Sequence, residues 1–136
     1  MAASVIVDTS FLVTLLSRRE TNHRWAAEQA QSHPPTWMTC EAVLSEAFHL
    51  LQADGGSSLA ALLRRRSLTP SFSLGADTEA ILRLMLKYVD VPMTFADACL
   101  VRMTETLPDP ILLTTDRDFR IYRRHGRQVI PCKMPD

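Results

Sequence analysis

Four carboxylates occupy positions where a charged side chain needs an explanation. Asp8 closes the apolar run Ser4–Val7, and Asp116 follows the apolar run Ile111–Thr114. Each opens a stretch with helical spacing, where aspartate is a favoured N-cap, so each has a structural use beside a chemical one. Asp97 lies in the first turn of the segment Phe95–Thr106, where the helix dipole favours a negative charge. Its own stripe is nevertheless largely apolar, carrying Leu100, Val101 and Thr104. Glu46 is mid-segment, with Ala42 and Val43 behind it and Leu50 ahead on the same stripe, so capping does not account for it. No Lys or Arg falls within one turn of Asp97 or Glu46. An inward carboxylate needs a partner, and several together repel and take up protons. The simplest compensation is a divalent cation, and oxygen-only donors favour Mg²⁺ or Mn²⁺ over zinc. Such a centre activates water and neutralises a phosphate.

The elements that must position these acids follow from apolar spacing. Ser4–Val7 reads as a strand, and Phe11, Leu12, Leu15 and Leu16 repeat at helical spacing from Thr9. Asn22–Ser32 reads as a helix stopped by Pro34-Pro35, and Thr36–Thr39 as a short strand. Glu41–Asp54 is expected to be a helix ending at Gly55-Gly56, with a further helix at Leu59–Arg66 and a strand at Ser71–Leu74. Ala76–Val89 reads as a helix with Ile81, Leu82, Met85 and Leu86 on one face. Beyond Pro92 come a helix at Phe95–Thr106, a strand at Ile111–Thr114, a helix at Asp116–Arg124 and a last strand at Val129–Ile130. Short apolar strands alternating with helices imply an α/β three-layer sandwich, a mainly parallel sheet flanked by helices, as one domain over residues 1–136. In such sheets ligands bind beyond the carboxyl ends of the strands, where Asp8 and Asp116 would both emerge.

Composition excludes several classes. The chain has 136 residues, 46% hydrophobic, with 15 basic and 15 acidic side chains and no net charge, which argues against disorder. No apolar run approaches the ~18–20 residues of a membrane span, and the N-terminus lacks the pattern of a secretory signal. Cys40, Cys99 and Cys132 form no CxxC, so a disulfide framework or zinc knuckle is not expected, and a reducing cytoplasm is the default compartment. The four histidines have no metal-ligand spacing. A haloacid-dehalogenase-like phosphatase would want an aspartate where Ser10 stands. A receiver domain would want a lysine near its last strand, whereas Lys133 lies beyond it. Neither a P-loop nor a GxSxG elbow occurs.

Cations are unevenly spread. Residues 111–136 hold Arg117, Arg120, Arg123, Arg124, Arg127 and Lys133 against three aspartates. Arg117, Arg120 and Arg124 follow helical spacing directly after Asp116, the layout for holding a phosphodiester backbone beside an acidic, metal-loaded centre. Arg64-Arg65-Arg66 is a second cluster, equally well read as a solvated face. Trp25 and Trp37 could stack on bases, though packing is the simpler use.

The segments VIVDTSFL around Asp8, TCEAVLSEAFHLL around Glu46, MTFADACLV around Asp97 and LLTTDRDF around Asp116 occur in the order and spacing of a known family. Through them the chain resembles the PIN-domain nucleases, and among those the VapC-like toxins of bacterial toxin–antitoxin pairs. The resemblance implies a PIN-like fold in which Asp8, Glu46, Asp97 and Asp116 bind Mg²⁺ or Mn²⁺, with Thr9, Ser10, Thr114 and Thr115 as supporting polar groups. It implies endoribonuclease activity, a homodimer, and a small antitoxin that wraps the toxin and restrains it. The alternatives are a housekeeping PIN nuclease in RNA processing and a non-catalytic, metal-binding interaction module. Glu41 and Asp118 lie close to the quartet but sit in first helical turns, where the dipole explains them. Phe11–Leu16 and Leu59–Leu63 carry more apolar residues than one buried stripe needs, a surplus suited to a partner helix.

Overall fold

Ser4–Val7 is apolar on both sides and forms a strand, β1, whose residues are all buried, as expected of a central parallel strand. The computed structural model describes residues 2–136. After β1 come α1 (Thr9–Leu16), α2 (His23–Ser32), β2 (Trp37–Thr39), α3 (Glu41–Arg64) and β3 (Leu68–Pro70). A 3-10 turn at Gly75–Asp77 leads to α4 (Thr78–Lys87), α5 (Phe95–Thr106) and β4 (Pro110–Leu113). A second 3-10 turn at Arg117–Arg120 precedes β5 (Arg123–Arg124), β6 (Gln128–Val129) and β7 (Cys132–Lys133).

The main sheet has the order β3-β2-β1-β4-β7, and all its pairs are parallel. The chain travels from β1 to β3 in one direction, then crosses back to place β4 on the other side of β1. Right-handed crossovers therefore put α1–α3 on one face and α4–α5 on the other, which gives the expected α/β arrangement of a parallel sheet flanked by helices. The reversal lies between β1 and β4, and a crevice opens at their carboxyl ends. Val7 stands opposite Leu113 in that pair, so Asp8 and Thr114 leave the sheet side by side. Phe11, Leu12, Leu59, Ile81, Leu100, Val101 and Leu112 are among the fully buried side chains. Trp37 is buried and meets Phe11 edge-on at 5.6 Å, with Trp25 on the same ring, so both tryptophans pack rather than present a face to bases.

Several expected boundaries differ. The break between the two expected helices falls earlier than Gly55-Gly56: α3 is two helices meeting at a kink at Gln52 (φ 46°, ψ −128°), and the second runs through both glycines. Gly55 serves a close approach to α1 instead, since a Cβ there would lie 2.7 Å from Leu51 Cδ2 and 3.0 Å from the Leu16 carbonyl oxygen. The third strand is Leu68–Pro70 rather than Ser71–Leu74, because Leu68 is the residue that finds burial. On α4 the buried positions are Ile81 and, just beyond it, Tyr88, whereas Leu82 and Leu86 face solvent. The stretch Asp116–Arg124 is one 3-10 turn followed by a hairpin strand, not a helix. Val129 pairs in that hairpin, and the last strand of the main sheet is Cys132–Lys133. Phe11, Leu12 and Leu59 are core, so the α1–α3 contact absorbs much of the expected apolar surplus, leaving Phe48 and Leu50 exposed on α3. Among the described residues no helix is long and apolar enough to cross a membrane.

Candidate active site

Asp8 is where the end of β1 becomes the start of α1, and it serves both. Its Oδ1 accepts from the Phe11 backbone N–H at 3.1 Å, capping the helix, and from the Ser10 hydroxyl. Its Oδ2 accepts from the Thr114 hydroxyl at 2.6 Å. The set is locked further by the Thr115 N–H on Ser10 Oγ (2.9 Å) and the Asp116 N–H on Thr114 Oγ1 (2.9 Å). Asp8 is only 5% exposed. Burial pushes its carboxyl up to about 6, against the hydrogen bonds from Ser10, Thr114 and Phe11, and the nearby Asp116 charge adds to the rise. Of the four supporting residues expected from sequence, Ser10 and Thr114 act through their hydroxyls and Thr115 through its backbone. Thr9 is buried on the cleft wall.

Asp116 caps the 3-10 turn, its Oδ1 accepting from the Asp118 N–H at 2.9 Å. Asp97 is also a capping residue. Thr94 and Asp97 form a reciprocal capping box, with Asp97 N–H on Thr94 Oγ1 at 3.0 Å and Thr94 N–H on Asp97 Oδ2 at 3.2 Å. The Thr-x-x-Asp spacing carries that signal in the sequence. The same Oδ2 accepts a second hydrogen bond, from the Tyr122 hydroxyl at 3.0 Å. Burial raises Asp97 too, again with Asp116 contributing repulsion. Asp116 thus acts electrostatically on both Asp8 and Asp97.

Tyr122 is the participant that sequence reasoning missed. It is fully buried and meets Tyr88 and Phe119 edge-on at 5.1 and 5.2 Å. Burial, followed by the Asp97, Asp118 and Asp116 charges, pushes its phenol upward, so it stays a hydrogen-bond donor at neutral pH. No residue spacing points to it, because its role depends on the turn that replaces the expected helix.

Glu46 differs from the inward carboxylate expected. It is exposed, on the wall of a cleft of about 380 Å³ shared with Thr9, Ser10 and Thr115. A neighbouring hollow is lined by Glu46 together with Thr94, Phe95 and Ala96. It therefore stands at the surface on α3, in hollows lined by the chain neighbours of Asp8, Asp97 and Asp116.

Arg117 and Arg120 are exposed on the turn after Asp116. Arg124 is not their neighbour on a helical stripe. It lies in β5 with its guanidinium turned to the Thr104 carbonyl at the end of α5, which removes it from the expected phosphate-binding set.

Ion pairs among the described residues join Arg19 with Asp54, Arg24 with Glu28, and Arg102 with Asp77 and Glu105. None of the four acids takes part. Nor, among the described residues, do three Asp, Glu, His or Cys side chains stand together closely enough to form a ready cage. The donor chemistry still fits a hard divalent cation: oxygen ligands only, like charges without a counter-cation, and a buried aspartate pushed toward neutrality.

The PIN domain family model matches residues 5–124. No curated protein matches the sequence. Among solved structures, the crystal structure of Mycobacterium tuberculosis VapC20, described as a sarcin-ricin loop cleaving toxin, is similar in fold with a TM-score of 0.72. The likeness covers 85% of this chain and 92% of that one at 24% identity.

Proposed function

The chain belongs to the PIN domain family, and from that premise we propose that it is a divalent-cation-dependent endoribonuclease, the toxin of a toxin–antitoxin pair. The observation that carries this reading is the pair of buried aspartates Asp8 and Asp97, each raised by burial and repelled by Asp116, with no basic side chain among the described residues paired to any of the three. Mg²⁺ or Mn²⁺, when bound, supplies Lewis acidity toward water and the phosphate oxygens. Asp8, Asp97 and Asp116 would hold it, and Glu46 would complete the oxygen set from the cleft mouth. Ser10 and Thr114 fix both oxygens of Asp8, and Tyr122 and Thr94 fix Oδ2 of Asp97. Arg117 and Arg120, exposed beside Asp116, steady the phosphodiester backbone. Water is the nucleophile: its oxygen bonds to phosphorus as the bond from phosphorus to the 3′ oxygen breaks. Products therefore carry 5′-phosphate and 3′-hydroxyl ends, and the 2′-hydroxyl takes no part.

The protein acts in this reading as one PIN-like domain over residues 1–136, in the cytoplasm and as a homodimer. Leu82, Leu86 and Val89 expose an apolar stripe along and just beyond α4 that a second copy can cover. A small antitoxin restrains it, since a free ribonuclease would attack its own host.

The test uses sarcin-ricin loop RNA, the target named for VapC20, beside transfer RNA. The purified chain should cut one of them with Mn²⁺ and not with EDTA, leaving 5′-phosphate ends, and Asp8→Asn should not cut. Recovery of 2′,3′-cyclic phosphates would overturn the mechanism. Expression of the active chain alone should arrest growth. Harmless expression of an active nuclease would return it to RNA processing.

A further inference from the structure

The carboxylate edge leaves much of the C-terminal cation excess unused, and the fold gathers part of it elsewhere. A cavity of about 410 Å³ opens between α4, α5 and the β5–β6 hairpin. Arg83, Lys87, Arg102 and Arg123 line it together with His125, and Glu105 is the one carboxylate on its wall. That carboxylate is already engaged, accepting from Arg102 Nη1 at 3.1 Å and from the His125 backbone N–H at 2.7 Å. Arg102 also gives Nε to Asp77 at 2.8 Å. The other three cations have no acidic partner among the described residues. Arg123 commits only Nη1, to the carbonyls of Arg120, Ile121 and Tyr122, leaving Nε and Nη2 without a protein acceptor. Lys87 makes one hydrogen bond, to the Gly126 carbonyl at 3.1 Å, and Arg83 is exposed. Gathering like charges around a hollow is unfavourable unless an anion enters it.

The position of the cavity says which anion. Arg102 and Asp97 lie five positions apart on α5, roughly 7.5 Å along the helix axis. Between the cavity and the carboxylates stands the Tyr88–Tyr122 pair. Tyr122 donates to Asp97 on one side, and the backbone N–H of Arg123 donates to Tyr88 on the other (3.0 Å). A polyanion held at the carboxylates has only this pair to pass before it reaches these cations. The free guanidinium edge of Arg123 suits the paired oxygens of a phosphate.

We propose that this cavity grips a backbone phosphate of the RNA strand away from the scissile bond, an inference that rests on the ribonuclease reading. Such a grip carries no base information. It adds affinity and salt sensitivity without choosing the cleavage site.

The experiment measures binding of a fluorescein-labelled single-stranded RNA in an Asp8→Asn background, which keeps the RNA intact, across a salt series. Adding Arg83→Gln and Lys87→Gln together should weaken binding about tenfold. It should flatten the plot of log affinity against log salt by about 0.7 for each phosphate that the variant no longer neutralises. Arg83→Gln alone, at an exposed position, should give part of both changes and guards against misfolding of the double variant. Arg64→Gln with Arg65→Gln, at the opposite edge of the sheet, should give neither. Unchanged affinity and slope in the double variant would overturn the cavity proposal. So would retained RNA affinity with loss of binding to an oligoglutamate peptide, which would assign the cavity to an acidic protein segment. The chain with Asp8 restored is assayed for Mn²⁺-dependent cleavage of the same RNA. Absence of cleavage there overturns the ribonuclease reading, whereas cleavage with unchanged binding overturns only the cavity.

Discussion

At the scale of single residues, Asp8 is bound by two opposing demands, and its stability signature can be read out. Its carboxyl rises from 3.8 to about 6 because burial outweighs three hydrogen bonds. A folded-state value above the unfolded one means that the native protein binds the extra proton between them. Stability is therefore full below pH 3.8 and is lost as pH rises through 6, by at most roughly 3 kcal/mol. In Asp8→Asn the amide still caps α1 and still meets the Ser10 and Thr114 hydroxyls, but the penalty is gone. Urea unfolding in EDTA should show the variant gaining on the wild type between pH 4 and pH 7.5. A constant difference across that range would mean that Asp8 is not strained by its burial. Tyr122 makes the complementary case. Tyr122→Phe keeps the edge-on packing with Tyr88 and Phe119 and removes only the hydroxyl on Asp97. Loss of a neutral-to-charged hydrogen bond costs about 1.5–3 kcal/mol at most, so the fold should survive. If Asp97 holds the cation as proposed, removing its support weakens binding about 10–100-fold, and calorimetric titration with Mn²⁺ should show a loss of that size. Unchanged Mn²⁺ affinity would leave Tyr122 a packing residue.

At the scale of elements, what the sequence makes legible depends on whether local pattern or tertiary contact decides. β1, α1 and α5 are readable to the residue, because an all-apolar buried strand and two capped helices are specified by their own side chains. Asp8 and Asp97 fall where the sequence places them, since each is tied to such an element, whereas Asp116 opens a turn and not a helix. Pattern puts Glu46 on the right helix but facing the wrong way, because its stripe is only partly buried: Val43 and Ala47 face the core whereas Leu50 does not. The glycines of α3 read as a helix stop because intrinsic propensity says so. The fold uses Gly55 instead to admit α1. Gly55→Ala should therefore destabilise by about 1–3 kcal/mol, the range for overpacking. Gly56→Ala meets nothing within 4 Å and should stabilise by roughly 0.5–1 kcal/mol through helix propensity. Urea midpoints of the two variants moving in opposite directions is the expected result, and a shared direction would remove the close-approach explanation. The stretch after Asp116 misleads for a different reason. Arg117, Arg120 and Arg124 mimic a helical stripe, but Phe119 and Tyr122 are both buried and the chain turns at His125 (φ 50°) and Gly126 (φ 82°). The His-Gly step is the available turn signal, and the arginine periodicity masks it.

At the scale of the whole molecule, the site is an assembly of distant pieces. Asp8 comes from the β1–α1 junction, Asp97 from the start of α5 and Asp116 from the turn after β4. Between them lies most of the chain, and only the crossover that sets β4 beside β1 brings Asp8 and Asp116 to one edge. An unfolded chain cannot present these carboxylates together, so a cation they hold binds the native state alone. Linkage then converts occupancy into stability: at a free cation concentration 100 times the dissociation constant the gain is about 2.7 kcal/mol. For a chain of this length that corresponds to a rise of roughly 5–10 °C in Tm. The gain also reverses the cost of burying Asp8 ionised, since a cation favours the charged form. Thermal unfolding at pH 7.5 should thus show Tm rising with the logarithm of Mn²⁺ concentration in the wild type, and little or no rise in Asp8→Asn. The two proteins should consequently change order, with Asp8→Asn the more stable in EDTA and the wild type the more stable in saturating Mn²⁺. A Tm that ignores Mn²⁺, or a rise of equal size in both proteins, would show that the three aspartates do not act as one cation site.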